Sequence, residues 1–330
     1  MTATLRDLGE FELIRAITAR FALGQDVLVG PGDDAAVLSA PDARVVVTTD
    51  LLLEGRHFRR DWSSGVDVGH KAAAQNLADV AAMGARPTGL FVGFAAPGDL
   101  TVDWALALAD GLAAECARAG ATVAGGDISS ADSIMLGVTA LGDLEGRAPV
   151  LRSGARPGDV VVLAGSLGRA EAGLALLTAG LGHDADADAD ADADAGWTGL
   201  VTAHRRPRPP YPLGPALAAA GAHAMCDVSD GLVQDLGHIA TASGVRIDLD
   251  LGGLTALAAA EPLPSAAAEL GADPLDWVLT GGEDHALVAC LPPAAAIPGG
   301  CERIGLVLPG TGVTLAGRPT AGRGGWNHFR

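Results

Sequence analysis

Gly30-Pro31-Gly32-Asp33-Asp34-Ala35-Ala36-Val37, a short turn, and then Arg44-Val45-Val46-Val47-Thr48-Thr49-Asp50 make up the stretch around which the chain is organised. Ala35 to Leu38 and Val45 to Thr49 are rich in β-forming residues and are joined by the turn formers Ser39 to Ala43. Each run has acidic residues at one end, which predicts carboxylates gathered at the rim of a sheet. Hard oxygen donors with no His or Cys beside them favour Mg2+, which takes one or two carboxylates, several waters and the phosphates of a substrate. The stretch therefore predicts a metal-bridged phosphate site.

Composition limits what such a site can serve. A chain of 330 residues, 49% of them hydrophobic, can bury a sizeable core and is expected to form two domains. Its net charge of −18 argues against nucleic acid or an anionic membrane surface as a partner. Six of those charges lie in the alternating Asp-Ala tract 184–195, leaving −12 on the remainder. That tract has no large apolar face to bury and is expected to be a solvated loop. Cys116, Cys226, Cys290 and Cys301 are scattered, against the spacing of a disulfide framework or a zinc site. With no signal-peptide pattern and no apolar run long enough to cross a bilayer, the expected location is the cytoplasm.

Read in order, the chain alternates helical and strand patterns. Helical spacing covers Leu5 to Phe21 and Asp67 to Met83; in the second, Lys71, Gln75 and Asp79 share one polar face with Asn76 beside them. Thr88 to Phe94 reads as a strand, Thr101 to Ala119 as a helix closed by Gly120, and Ala121 onward as a strand running into Gly125-Gly126-Asp127. Ile134 to Leu141 is a further strand. Glycine, proline and arginine then rise from Gly142 to Asp159, which predicts domains over 1–148 and 149–330. Beyond the junction come a strand at Val160 to Ala164, a helix at Arg169 to Leu181, an irregular arginine- and proline-rich segment from His204 to Pro215 and a short helix over Leu213 to Ala222. Ala224-Met225-Cys226-Asp227-Val228-Ser229-Asp230-Gly231 precedes a helix, Val245 to Leu251 is a strand, and Trp277 to His285 leads into the apolar run Ala286 to Leu291. The architecture expected is α/β or α+β.

Several phosphate-binding devices are missing. Lys71 is the only lysine and no G-x-x-x-x-G precedes it, which excludes a Walker-type loop. Gly30-Pro31-Gly32 lacks the spacing of a dinucleotide fingerprint. Phosphates would have to be held by carboxylate-bound metal, glycine backbone and a few arginines.

Taken together, Gly30-Pro31-Gly32-Asp33-Asp34-Ala35, Thr48-Thr49-Asp50, Gly55-Arg56-His57-Phe58, Asn76 to Ala85, Gly125-Gly126-Asp127, Asp227 to Leu232 and Thr280-Gly281-Gly282-Glu283-Asp284 resemble the thiamine-monophosphate kinase family in order and separation, over nearly the whole chain. The resemblance implies the two-domain fold of aminoimidazole ribonucleotide synthetase, with the N-terminal domain pairing across a homodimer, and ATP-dependent phosphorylation of thiamine monophosphate to thiamine diphosphate. Carried over position by position, it makes Asp34, Thr48, Thr49, Asp50, Asp79, Asp127 and Asp227 ligands of several Mg2+ ions, with Asp230 holding a further one. Asp50, Asp79, Asp127 and Asp227 form the catalytic centre of that set. Gly126, Asp127, Arg152 and Ser229 would face ATP, and His57, Glu283 and Trp326 would line the thiamine phosphate pocket. The Asp-Ala tract departs from the family pattern.

Each residue also has a plainer reading. Asp33 and Asp34 serve equally as turn caps, Asp79 as an exposed helical residue, Ser229 and Asp230 as an N-cap, and His57 and Trp326 as structural residues. Related ATP-using enzymes of the same fold remain alternatives, as does a non-catalytic acidic metal-binding protein. The absence of any cysteine before Cys116 weighs against selenophosphate chemistry.

Overall fold

Gly9 breaks the helix expected over Leu5 to Phe21. Its backbone, at φ 82° and ψ 160°, is outside the helical region and open to glycine. The result is α1 (Leu5–Leu8), opened by a capping box between Thr4 and Asp7, and α2 (Glu10–Thr18). The computed structural model describes residues 3–31, 35–182, 196–320 and 324–326. Asp33, Asp34, the Asp-Ala tract and Asn327 to Phe329 lie outside the described residues. Contacts divide the chain into two units, Met1–Val80 with Ala85–Gly146, and Ala81–Gly84 with Arg147–Arg330.

In the first unit, β1 (Val27–Val29) and β2 (Val37–Leu38) form a small antiparallel ribbon. β3 (Val46–Leu53) is followed by α3 (Gly65–Ala82), β4 (Arg86–Ala96), α4 (Val102–Ala119), β5 (Thr122–Ser130) and β6 (Met135–Asp143). The four long strands make one sheet in the order β3-β6-β4-β5. The two runs of the opening stretch therefore belong to different sheets, not to one rim. The two-residue β2 pairs back onto β1, whereas the eight-residue β3 finds a full-length antiparallel partner in β6, from Val46↔Gly142 to Leu53↔Met135. Helices α3 and α4 approach closely because three glycines leave room: a Cβ on Gly65 would stand 2.3 Å from the Trp104 carbonyl oxygen, one on Gly69 2.2 Å from that of Leu108, and one on Gly111 2.1 Å from that of Val66. Ala72, Ala73, Ala74, Leu77 and Ala78 of α3 are fully buried, so this helix is the core of the unit.

The second unit is built on a seven-stranded sheet. Its elements are β7 (Val160–Ala164), α5 (Arg169–Thr178), α6 (Gly196–Arg205), α7 (Leu213–Ala219), β8 (Ala224–Val228), α8 (Leu232–Ser243), β9 (Arg246–Leu249), α9 (Leu251–Ala258), α10 (Leu263–Leu270), α11 (Pro274–Thr280), β10 (Ala286–Leu291), β11 (Cys301–Leu308), β12 (Gly312–Leu315) and β13 (Arg318–Pro319). The strand order is β13-β12-β9-β11-β7-β10-β8, antiparallel throughout except for β12 beside β9. Every residue of β8 and β10 is buried. Because β10 runs against β7 and β8, its first residues lie at the same sheet end as the last residues of those two strands.

Candidate active site

In the first unit, α3 covers the open edge of β3. The buried Asn76 accepts the backbone N–H of Asp50 at 3.1 Å on Oδ1 and donates Nδ2 to the Ala72 carbonyl at 2.9 Å. One helical turn on, Asp79 Oδ2 accepts the hydroxyl of Thr48 at 2.8 Å. Thr48, Asp50 and Asp79 are thus brought together, each half-buried. Their donors are all hard oxygens, which fits Mg2+ better than a softer metal. The next loop is fixed through backbone atoms: His57 Nδ1 accepts the Leu53 N–H at 3.0 Å, and the buried Lys71 donates Nζ to the His57 carbonyl at 3.2 Å.

Strand alternation separates the other predicted ligands of this unit. Thr49 points away from its neighbours, donating to the Val138 carbonyl at 2.9 Å and accepting from Thr139 at 3.2 Å. Register places Asp50, Val138 and Val92 in one row, with the two valines buried, and Leu51, Gly137, Gly93 and Asp127 in the next. Asp127 is therefore on the opposite face from Asp50 and three strands away, a span of about 14 Å at ordinary strand spacing. The strand that carries it does not end at the glycine pair as expected but continues to Ser130. Gly126 has a packing reason of its own, since a Cβ there would stand 2.2 Å from the Val92 carbonyl oxygen. Among the described residues, no group of three or more His, Cys, Asp or Glu side chains is placed to hold a metal.

In the second unit the predicted residues collect where β8 ends and β10 begins. The buried Asp227 stands 3.2 Å from His285 Nδ1 through Oδ2. The loop before β10 is stitched to the loop after β8: Glu283 donates its N–H to the Ser229 carbonyl at 2.8 Å, and His285 donates to that of Val228 at 2.9 Å. Both donors have positive φ, 63° and 51°, an arrangement these contacts hold in place. Glu283 then turns toward α6, where its Oε2 lies 3.2 Å from Nδ1 of the buried His204. Trp326 donates its N–H to the Asp230 carbonyl at 3.0 Å, and Gln234 ties Asp230 Oδ2 (3.1 Å) to the Trp326 carbonyl (3.0 Å). The tryptophan is 50% exposed, so it does not close a core. Arg152 is also exposed.

Two acids here were not singled out by the sequence reading. Ser229 and Asp230 do not cap α8 with their side chains; Asp235, inside the helix, reaches back so that its Oδ2 accepts the N–H groups of Ser229, Asp230 and Gly231 at 3.1, 3.0 and 3.0 Å. Burial and then the nearby Asp227 push its carboxyl up to about 7. Asp284 does the same service for α5, accepting Gly168 N–H at 2.6 Å and Ala170 N–H at 2.9 Å, and burial pushes it up to about 7 as well. An acid four residues into a helix, or more than a hundred residues from it, has no local signature as a cap.

Two α/β units, the first carrying Asp50 and Asp127 within its strands and the second gathering Asp227, Asp230 and Glu283 where β8 ends and β10 begins, define the class. Residues 32–144 match the family described as AIR synthase related protein, N-terminal domain, and residues 156–315 match its C-terminal domain. Thiamine-monophosphate kinase of Mycobacterium tuberculosis (strain ATCC 25618 / H37Rv) is 49% identical over 99% of this chain and 93% of its own. That of Corynebacterium glutamicum is 42% identical over 99% and 95%. A solved structure described as AaThiL complexed with AMPPCP and TMP superposes with a TM-score of 0.76 at 31% identity, covering 100% of both chains. Within the AIR synthase related class, the chain belongs to the thiamine-monophosphate kinase family.

Proposed function

We propose that this chain transfers the γ-phosphoryl group of ATP to thiamine monophosphate, forming thiamine diphosphate and ADP. The observation that carries this reading is 49% identity over 99% of the chain to a thiamine-monophosphate kinase. The chemistry agrees with the residues present. Donor and acceptor are both polyanions, and each pair of unit charges at 4 Å repels by about 4 kcal/mol at an effective dielectric of 20. Mg2+ would supply the positive charge that offsets theirs. Several ions are proposed: Thr48, Asp50 and Asp79 would hold one, Asp34, Thr49, Asp127 and Asp227 would be ligands of others, and Asp230 would hold a further one.

Gly126, Asp127, Arg152 and Ser229 face ATP in this reading, and His57, Glu283 and Trp326 line the pocket for thiamine monophosphate. A phosphate monoester has its second pKa near 6, so the acceptor is largely a dianion at neutral pH and needs no general base. What remains for the protein is to hold the acceptor oxygen in line with the γ-phosphorus, giving direct transfer with no phosphoenzyme.

The functional unit proposed is a homodimer. The sheet face that carries Asp127 also exposes Val45, Val47, Leu51 and Met135, from 40% to 59%, an apolar patch suited to a second copy. No helix among the described residues is long and apolar enough to cross a membrane, and the location proposed is the cytoplasm.

The test is incubation of purified protein with Mg2+, γ-labelled ATP and thiamine monophosphate, with thiamine and aminoimidazole precursors in parallel. Label in thiamine diphosphate only when the monophosphate is supplied is the expected result. ATP consumed with another acceptor, and no labelled thiamine species, would refute the substrate assignment.

A further inference from the structure

Two consecutive carbonyls of the loop after β8 each hold the backbone of a residue assigned above to the thiamine monophosphate pocket. That of Ser229 accepts the Glu283 N–H at 2.8 Å, and that of Asp230 accepts the Trp326 N–H at 3.0 Å. In both cases the residue before is a glycine pressed against the same carbonyl. A Cβ on Gly282 would stand 2.5 Å from the Ser229 oxygen, and one on Gly325 1.9 Å from that of Asp230. The loop itself is held firm, its amides from Ser229 to Gly231 all donating to Asp235 Oδ2. Trp326 has a second fastening. Gln234, in the first turn of α8, donates Nε2 to Asp230 Oδ2 at 3.1 Å and to the Trp326 carbonyl at 3.0 Å.

A primary amide carries two N–H donors, and here one meets a carboxylate and the other a carbonyl. A hydroxyl could serve one of these acceptors and a carboxylate neither. Trp326 is thus held at both its N–H and its C=O, while its ring stays 50% exposed. An indole with a fixed backbone and an uncovered face is suited to lie against a flat apolar group of a ligand. We propose, on the reading that Trp326 lines the thiamine monophosphate pocket, that Gln234 is a positioning residue: by clasping Trp326 to Asp230 it presents the indole to a heterocycle of the acceptor. Gln234 acts through Trp326 and not on the substrate.

The first measurement is fluorine NMR of the full chain labelled with fluorotryptophan, in the absence of ligand. Trp326 is one of five tryptophans, and Trp326→Phe assigns its resonance. Gln234→Ala and Gly325→Ala are expected to shift or broaden that resonance and leave the others in place, which also shows that both variants fold. Kinetics come second. Gln234→Ala should raise KM for thiamine monophosphate about threefold to tenfold, as for hydrogen bonds lost at a partly exposed site, with little change in kcat. The double variant Gln234→Ala/Trp326→Ala should match Trp326→Ala alone, because the amide acts only through the tryptophan. Gln234→Lys, which still donates to both acceptors, should keep KM near that of the wild type; Gln234→Glu, which can only accept, should not. An unmoved Trp326 resonance in Gln234→Ala, effects of the two alanine substitutions on KM that multiply, or equal KM for the Lys and Glu variants would each overturn the proposal. Trp326→Ala with an unchanged KM would instead refute the placement of Trp326 in the pocket, and the proposal with it, even where the resonance moves.

Discussion

Replacing Asp284 by Ala should cost more stability in mild acid than in mild base. The carboxyl is buried and titrates at about 7 in the folded protein against an ordinary value of 3.8. The folded chain therefore keeps a proton that the unfolded chain releases between those values. The stabilisation is complete below the unfolded value and is lost as pH rises through 7. At about 1.4 kcal/mol per unit of difference, the wild type gains about 3 kcal/mol between pH 9 and pH 5 from this group alone. The variant cannot gain it, and it also leaves the buried amides of Gly168 and Ala170 without their acceptor, roughly 2 kcal/mol or more at pH 5. Urea unfolding of both proteins at pH 5, 7 and 9, followed by far-UV circular dichroism, measures the gap. Asp284→Asn, which keeps one acceptor and does not titrate, should show a smaller loss with the same change of slope against pH. A gap between wild type and Asp284→Ala that stays constant from pH 5 to pH 9 would refute the reasoning.

Other substitutions probe the proposed site. Asp50→Asn removes one ligand charge beside Thr48 and Asp79 and should lower kcat by orders of magnitude with an unchanged circular dichroism spectrum; full activity at ordinary Mg2+ would remove Asp50 from the mechanism. Trp326→Ala should raise KM for thiamine monophosphate several-fold with little change in kcat or melting temperature, because the residue is half exposed. Gly126→Ala forces a Cβ against the Val92 carbonyl and should cost about 1–3 kcal/mol in nucleotide-free protein, read as a lowered Tm. Val47→Glu, on the exposed apolar face, should give a folded monomer in sedimentation velocity.

Much of the fold is legible because its long elements obey one period each. The α3 pattern places Asp79 on the polar face that meets Thr48, and β10 reads as a buried strand from its unbroken apolar run. Breaks are harder to see. Gly9 splits a helix whose apolar spacing is continuous, and Asp250 ends the strand expected to reach Leu251 by accepting the Gly252 N–H and starting α9. Pairing is not local information, so Ala35 to Leu38 and Val45 to Thr49 read as companions although they join different sheets. At the site, motif spacing identifies carboxylates without saying which face of a strand each one takes. Thr49 and Asp127 show the difference; His204 and Asn76 show another, since their partners Glu283 and Asp50 come from elsewhere in the fold.

Lys71 is the single lysine of the chain, and its ammonium is buried against the His57 carbonyl. An amine-directed reagent therefore becomes a probe of one loop: no lysine side chain is exposed in the folded protein, so modification of Lys71 times the opening of the segment that carries His57.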